Sequence, residues 1–177
     1  MKTIRLSLAL FLLTLLSGCF GPSYQAAQSS EFTAANYAAV DKLVATPLTI
    51  DKGAPLLVAT LVNIDAMNQS SRLGRLVSEQ VATRLTQHGY QVVEMKLRNN
   101  VYIREGTGEL LLSRDVRDLS KNHQAHVVVV GSYAAAASYV YLTLKAVSVA
   151  DNRVLAATNY LLPLTENNKA LLAQPRE

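Results

Sequence analysis

Apolar residues recur along this chain at two spacings, and each spacing predicts a different element. In AANYAAVDKLVA (34–45), Tyr37, Val40, Leu43 and Val44 fall on one side of a helix, which Pro47 and the Asp51-Lys52-Gly53 turn bring to an end. PLLVATLVNI (55–64) is apolar throughout after a proline, the pattern of a strand buried on both faces. SSRLGRLVSEQVATRLTQHG (70–89) returns to helical spacing, with Leu73, Leu76, Val77, Val81 and Leu85 in one stripe. Ser70 or Ser71 supplies its N-cap, Gly89 its stop, and Arg75 with Glu79 an ion pair on the solvent side. YQVVEMKL (90–97) reads as another strand. Strand, helix and strand in so short a span form a βαβ unit with parallel strands.

The next stretch, VYIREGTGEL (101–110), is polar and glycine-bearing, hence a loop. LLSRDVRDLSKNHQ (111–124) predicts a helix with Leu112, Val116 and Leu119 inward and Ser113 as a cap. Three strand-like runs follow, at 126–137, 139–150 and 153–164, with Asp151-Asn152 as the turn of a hairpin. Val127–Val130, apolar at every position, marks the first of these as central in its sheet. The polar tail, 165–177, reads as a frayed helix. The fold class is therefore α/β in the broad α+β sense: a single mixed β-sheet with helices packed on it, in the order α-β-α-β-α-β-β-β.

One apolar run does not belong to that domain. Leu6–Leu16 follows Lys2 and Arg5 and precedes Ser17-Gly18-Cys19, the three parts of an export signal. As a helix it would reach about 17 Å, short of the roughly 30 Å of hydrocarbon in a bilayer. LSGC looks like a bacterial lipobox, in which the cysteine sulfur takes a diacylglycerol and cleavage frees an amine for further acylation. Cys19 is the sole cysteine, so no disulfide can form within the chain. A thioether there would leave no exposed thiol in an oxidising compartment. More than one acyl chain gives firm anchorage to a membrane. Phe20 follows where an Asp would signal retention at the inner membrane, so the outer membrane, periplasmic side, is expected. The layout is a signal peptide at 1–18, a lipidated cysteine and polar tether at 19–33, one domain at 34–164 and the tail at 165–177.

Charge then changes the picture little. The full chain carries +4, but Lys2 and Arg5 leave with the signal, and the remaining 159 residues carry +2. Arg104, Arg114, Arg117 and Lys121 are interleaved with Glu105, Glu109, Asp115 and Asp118, so no one-signed patch for nucleic acid exists.

No set of residues converges on a reaction. His123-x-x-His126 lacks a carboxylate or cysteine in a ligand pattern, so surface or capping histidines are expected and no metal or other cofactor. Gly106-Thr107-Gly108 lacks the Gly-Lys-Ser/Thr ending of a phosphate loop, and Ser71, Ser113 and Ser132 sit in no nucleophile elbow. The pattern points to a binding or structural protein instead of an enzyme. In 139–150, Tyr139, Tyr141, Thr143 and Lys145 alternate with Val140, Leu142, Leu144 and Ala146. The aliphatic set belongs to the core; the tyrosine set, with Tyr133 and Tyr160 on neighbouring strands, is the candidate interface, against packing beneath the helices as the alternative.

SSRLGRLVSEQVATRLTQHGYQVVE, REGTGELLLSRDVR, VVVVGSYAAAA and VLAATNYLLPL together resemble the FlgO family of bacterial lipoproteins, from about Ala34 to Leu164. The first of these is also similar to the TolB amino-terminal domain and CsgG-like lipoproteins. The resemblance implies a non-catalytic outer-membrane lipoprotein that supports the flagellum at the envelope, and so motility. It implies flagellar or other envelope proteins as partners, a homo-oligomer among the possibilities, and no catalytic residues. The broader alternative is a general envelope lipoprotein for assembly or export. The family's recurring positions, Ser71, Gly74, Arg75, Glu79, Gly89, Gly108, Glu109, Ser113, Arg114 and Gly131, are expected to be architectural, with Gly74 letting its helix approach the sheet.

Overall fold

The computed structural model describes residues 31–45, 52–66, 70–94 and 124–173. The leader with Cys19, the 101–110 loop and most of the 111–124 helix predicted from the sequence lie outside them. Among the described residues there are three helices, α1 (Glu31–Ala45), α2 (Arg72–Gln87) and α3 (Glu166–Leu172). The strands are β1 (Pro55–Val58), β2 (Val62–Asn63), β3 (Gln91–Glu94), β4 (Val127–Ala135), β5 (Tyr139–Ser148) and β6 (Val154–Pro163). They form one mixed sheet in the order β3-β1-β4-β5-β6, with β2 also paired to β4. β1 runs parallel to β3 and β4, as the βαβ reading requires, and β4-β5-β6 is an antiparallel meander.

β4 is central, as its valine run predicts. Val127 and Val129 join the core beneath α1 and α2, together with Leu56, Leu142, Leu144 and Leu162. Val128 and Val130 point through the sheet to a second cluster with Leu57 and Val147. Period-2 alternation thus serves two cores from one strand.

The α2 helix begins at Ser71, whose Oγ accepts the Gly74 N–H at 3.1 Å. Leu73, Val77, Val81 and Leu85 are buried. Leu76, expected in the same stripe, is exposed, and its place on the inner face goes to Ser78. Ser78 Oγ accepts the Leu61 N–H at 2.9 Å and donates to the Gly74 carbonyl, while Ser70 Oγ donates to the Leu61 carbonyl at 2.7 Å. Both backbone groups of Leu61 are thereby taken, one by Ser78 of α2 and the other by Ser70, which precedes the N-cap. That is why the apolar run at 55–64 is two short strands and not one. Arg75 reaches the Ser70 carbonyl at 3.5 Å instead of pairing with Glu79.

The α1 helix starts at Glu31, three residues before the expected position, so 31–33 are helical and not tether. Its buried face is Asn36, Ala39, Val40 and Leu43. Tyr37 turns aside to lie under the Arg84 guanidinium, 5.3 Å from ring centre. The Asp151-Asn152 turn forms as predicted: Asn152 takes φ +58° and Asp151 Oδ1 accepts the Arg153 N–H at 3.2 Å. Part of the tail is ordered helix, α3, capped by Thr165.

Candidate docking face and the seam behind it

The β5 strand keeps the alternation seen in its sequence: Val140, Leu142, Leu144 and Ala146 are buried, while Tyr139 and Tyr141 are exposed. Cross-strand partners share a face, and this sorts the four candidate tyrosines into two pairs. Tyr133 and Tyr160 both oppose Leu142, so they lie on the helix side. Tyr133 is 3% exposed, and its hydroxyl accepts the Ser71 N–H at 2.9 Å. Tyr160 is half-buried and donates to Asn36 Oδ1 at 2.7 Å.

Tyr139 and Tyr141 lie on the other face, opposite Pro163 and Leu161. There Tyr139, Tyr141 and Leu161 are 46, 53 and 48% exposed and stand side by side. Thr143 and Asn159, then Lys145 and Ala157, continue the paired row toward the hairpin end. An uncovered surface of tyrosine and aliphatic groups, with one polar tip per ring, has the chemistry of a protein contact.

Behind that face, a polar seam fastens α1 to α2 and β6. Asn36, fully buried, accepts from Tyr160 and donates to Gln80 Oε1 at 2.6 Å; Gln80 in turn donates to Thr33 Oγ1 at 3.1 Å. Burial pushes the Tyr160 phenol above its ordinary value, so it stays protonated and a donor. One helical turn further along, Arg84 grips Asp41 with Nε at 2.7 Å and Nη2 at 2.8 Å, and His88 Nε2 meets the same carboxylate at 2.6 Å. The Arg84 hydrogen bonds hold the Asp41 carboxyl down at about 2, outweighing the burial that pushes it up, with His88 adding to the lowering. These contacts join residues more than forty positions apart, and no local spacing signals them.

Some of the chemistry-bearing residues have structural employment. Ser71 and Ser78 serve α2 as described, and His88 caps the same helix at its C-terminus. His126 is exposed, with its backbone N–H donating to the Pro55 carbonyl. Cys19 and His123 lie outside the described residues. Among the described residues no helix is long and apolar enough to cross a membrane.

The FlgO protein family matches residues 37–167. No curated protein sequence matches the chain. Of solved structures, the LpoB C-terminal domain from Salmonella enterica is similar at a TM-score of 0.55 and 15% identity, over 75% of this chain and 98% of that one. The same domain from Escherichia coli has a TM-score of 0.55 and 17% identity, again over 75% and 98% of the two chains. At these identities the likeness is one of fold.

Proposed function

The chain belongs to the FlgO family, and from that membership we propose that it is a non-catalytic lipoprotein of the outer membrane that supports the flagellum where it crosses the envelope. The observation that carries this reading is the span of the family match, which runs from within α1 to the start of α3 and takes in the whole meander. Lipid on Cys19 would tether the domain to the membrane. The domain would then act by contact, and the exposed Tyr139–Tyr141–Leu161 row on β5 and β6 is the surface best suited to an envelope partner. In favour of contact over turnover, Ser71, Ser78 and His88 are committed to holding α2 and its neighbours.

Removing the gene and scoring swimming in soft agar, with flagella counted by electron microscopy, tests the reading. Reduced swimming with lost or unstable flagella, restored by the wild-type gene, is expected. Normal swimming with intact flagella would overturn the flagellar part and leave a general envelope role.

A further inference from the structure

Among the described residues β6 is the outer strand of its sheet, with β5 as its one neighbour. The Leu164 N–H donates to the Ser138 carbonyl at 2.8 Å, immediately past the Tyr139–Pro163 pair. Bonding direction alternates along an antiparallel strand, so Leu162, Tyr160 and Thr158 also bond toward β5. Ala157, Asn159 and Leu161 therefore turn their N–H and C=O groups outward, and all three residues are exposed.

Proteins ordinarily blunt such an edge with charge, proline or a bulge. On β6 these devices stand at the two ends: a register irregularity where Val154 and Ala156 oppose Val147 and Ala146, and Pro163 at the other end. The seven residues between them, Ala156–Leu162, carry no charge, and their midpoint is Asn159.

We propose that β6 is a self-pairing edge, which joins β6 of a second copy in antiparallel fashion about a two-fold axis at Asn159. Two features select a second copy over an unrelated extended segment. A two-fold axis at Asn159 keeps the whole uncharged window inside the contact and sets the small Ala157 of each copy opposite the larger Leu161 of the other. Charges of both signs also stand at both strand ends. Asp151 and Arg153 flank the start of β6, Glu166 and Lys169 follow its end, and antiparallel pairing brings the two ends together. The Arg153 and Glu166 side chains are 73 and 89% exposed; within the chain they face Asp151 at 3.7 Å and Lys169 at 2.7 Å, and pairing would exchange these local partners for the opposite charge of the other copy. A single added strand contact falls below the ~1,200 Å² of a stable interface, which makes the pair weak and cross-linking the suitable readout. The inference holds whether or not the chain serves the flagellum.

The test uses the full chain in detergent. Asn159→Cys, mildly oxidised, is expected to give a disulfide-linked homodimer at least tenfold above two controls: the unsubstituted chain, which retains Cys19, and Ser138→Cys in the exposed β4–β5 turn. Leu161→Lys on the Asn159→Cys background should lower the yield about tenfold. Arg153→Glu should lower it as well, and adding Glu166→Arg should restore it. Light scattering at low salt on the charge variants, with Asn159 intact, repeats the test without the cysteine: the dimer fraction should fall with Arg153→Glu and recover with the double exchange. Cross-linking at the control level, a disulfide to a different protein, or a yield indifferent to Leu161→Lys and the charge exchanges would overturn the proposal.

Discussion

Gly74 lies in the first turn of α2, against the bend that separates β1 from β2. A Cβ at this position would stand 2.6 Å from the Leu61 carbonyl oxygen and from Ser70 Oγ, and 2.9 Å from the Tyr133 ring. The first of these is backbone and cannot swing aside. Gly74→Ala is therefore expected to lower stability by about 1–3 kcal/mol through overpacking, although alanine is the better helix former by about 1 kcal/mol. A thermal melt checks this; a variant more stable than wild type would contradict the close approach. Asp41 gives a pH-dependent expectation. Its carboxyl, held at about 2 against an ordinary 3.8, loses its proton more readily in the folded chain. That preference favours folding fully above about pH 4 and fades as pH falls through about 2. The Asp41 side chain is 41% exposed, so solvent screening limits the effect to roughly 1 kcal/mol or less. Asp41→Asn should flatten the loss of stability between pH 4 and pH 2, and equal acid slopes for the two proteins would remove the argument.

At the scale of elements, the seam between α1 and β6 rests on one oxygen. Tyr160→Phe takes away the donor to Asn36 Oδ1 inside a fully buried site. A buried acceptor left without a partner costs about 1–3 kcal/mol. Hydrogen exchange should show α1 opening more often in this variant, with β4 less affected; unchanged protection of α1 would show that apolar packing alone holds it. The same seam explains where pattern reading succeeds and where it does not. In α2 the stripe Leu73, Val77, Val81, Leu85 is legible because periodicity reports the face toward the sheet. In α1 the inner face includes Asn36 and excludes Tyr37, because the hydroxyl that satisfies Asn36 comes from 124 positions away. The candidate tyrosines divide for a related reason. Alternation along one strand separates Tyr139 and Tyr141 from their neighbours, but the faces of Tyr133 and Tyr160 follow from their shared registry with Leu142.

For the whole molecule, location is the property on which a contact role depends. Cys19→Ser should leave the precursor unprocessed and absent from the outer-membrane fraction, as density-gradient fractionation would reveal; a variant that fractionates like wild type would end the lipobox reading. Much of the domain was legible from the chain alone: the βαβ unit, the central valine strand, the final meander and the turn at Asp151-Asn152. These follow from local rules, since hydrophobic period, caps and turn residues act within a few positions of one another. The expected leader and the lipidation proposed at Cys19 likewise rest on the order of residues 1–19, since that chemistry needs no fold. Tertiary structure decided the rest. It broke the 55–64 run by taking the two backbone groups of Leu61 into hydrogen bonds with Ser78 and Ser70, rotated α1 to bury Asn36, and left Tyr139, Tyr141 and Leu161 together on an exposed face. Each of these outcomes depends on a partner distant in sequence, and a hydrogen bond or a shared sheet face acts through space, where neighbouring residues along the chain hold no record of it.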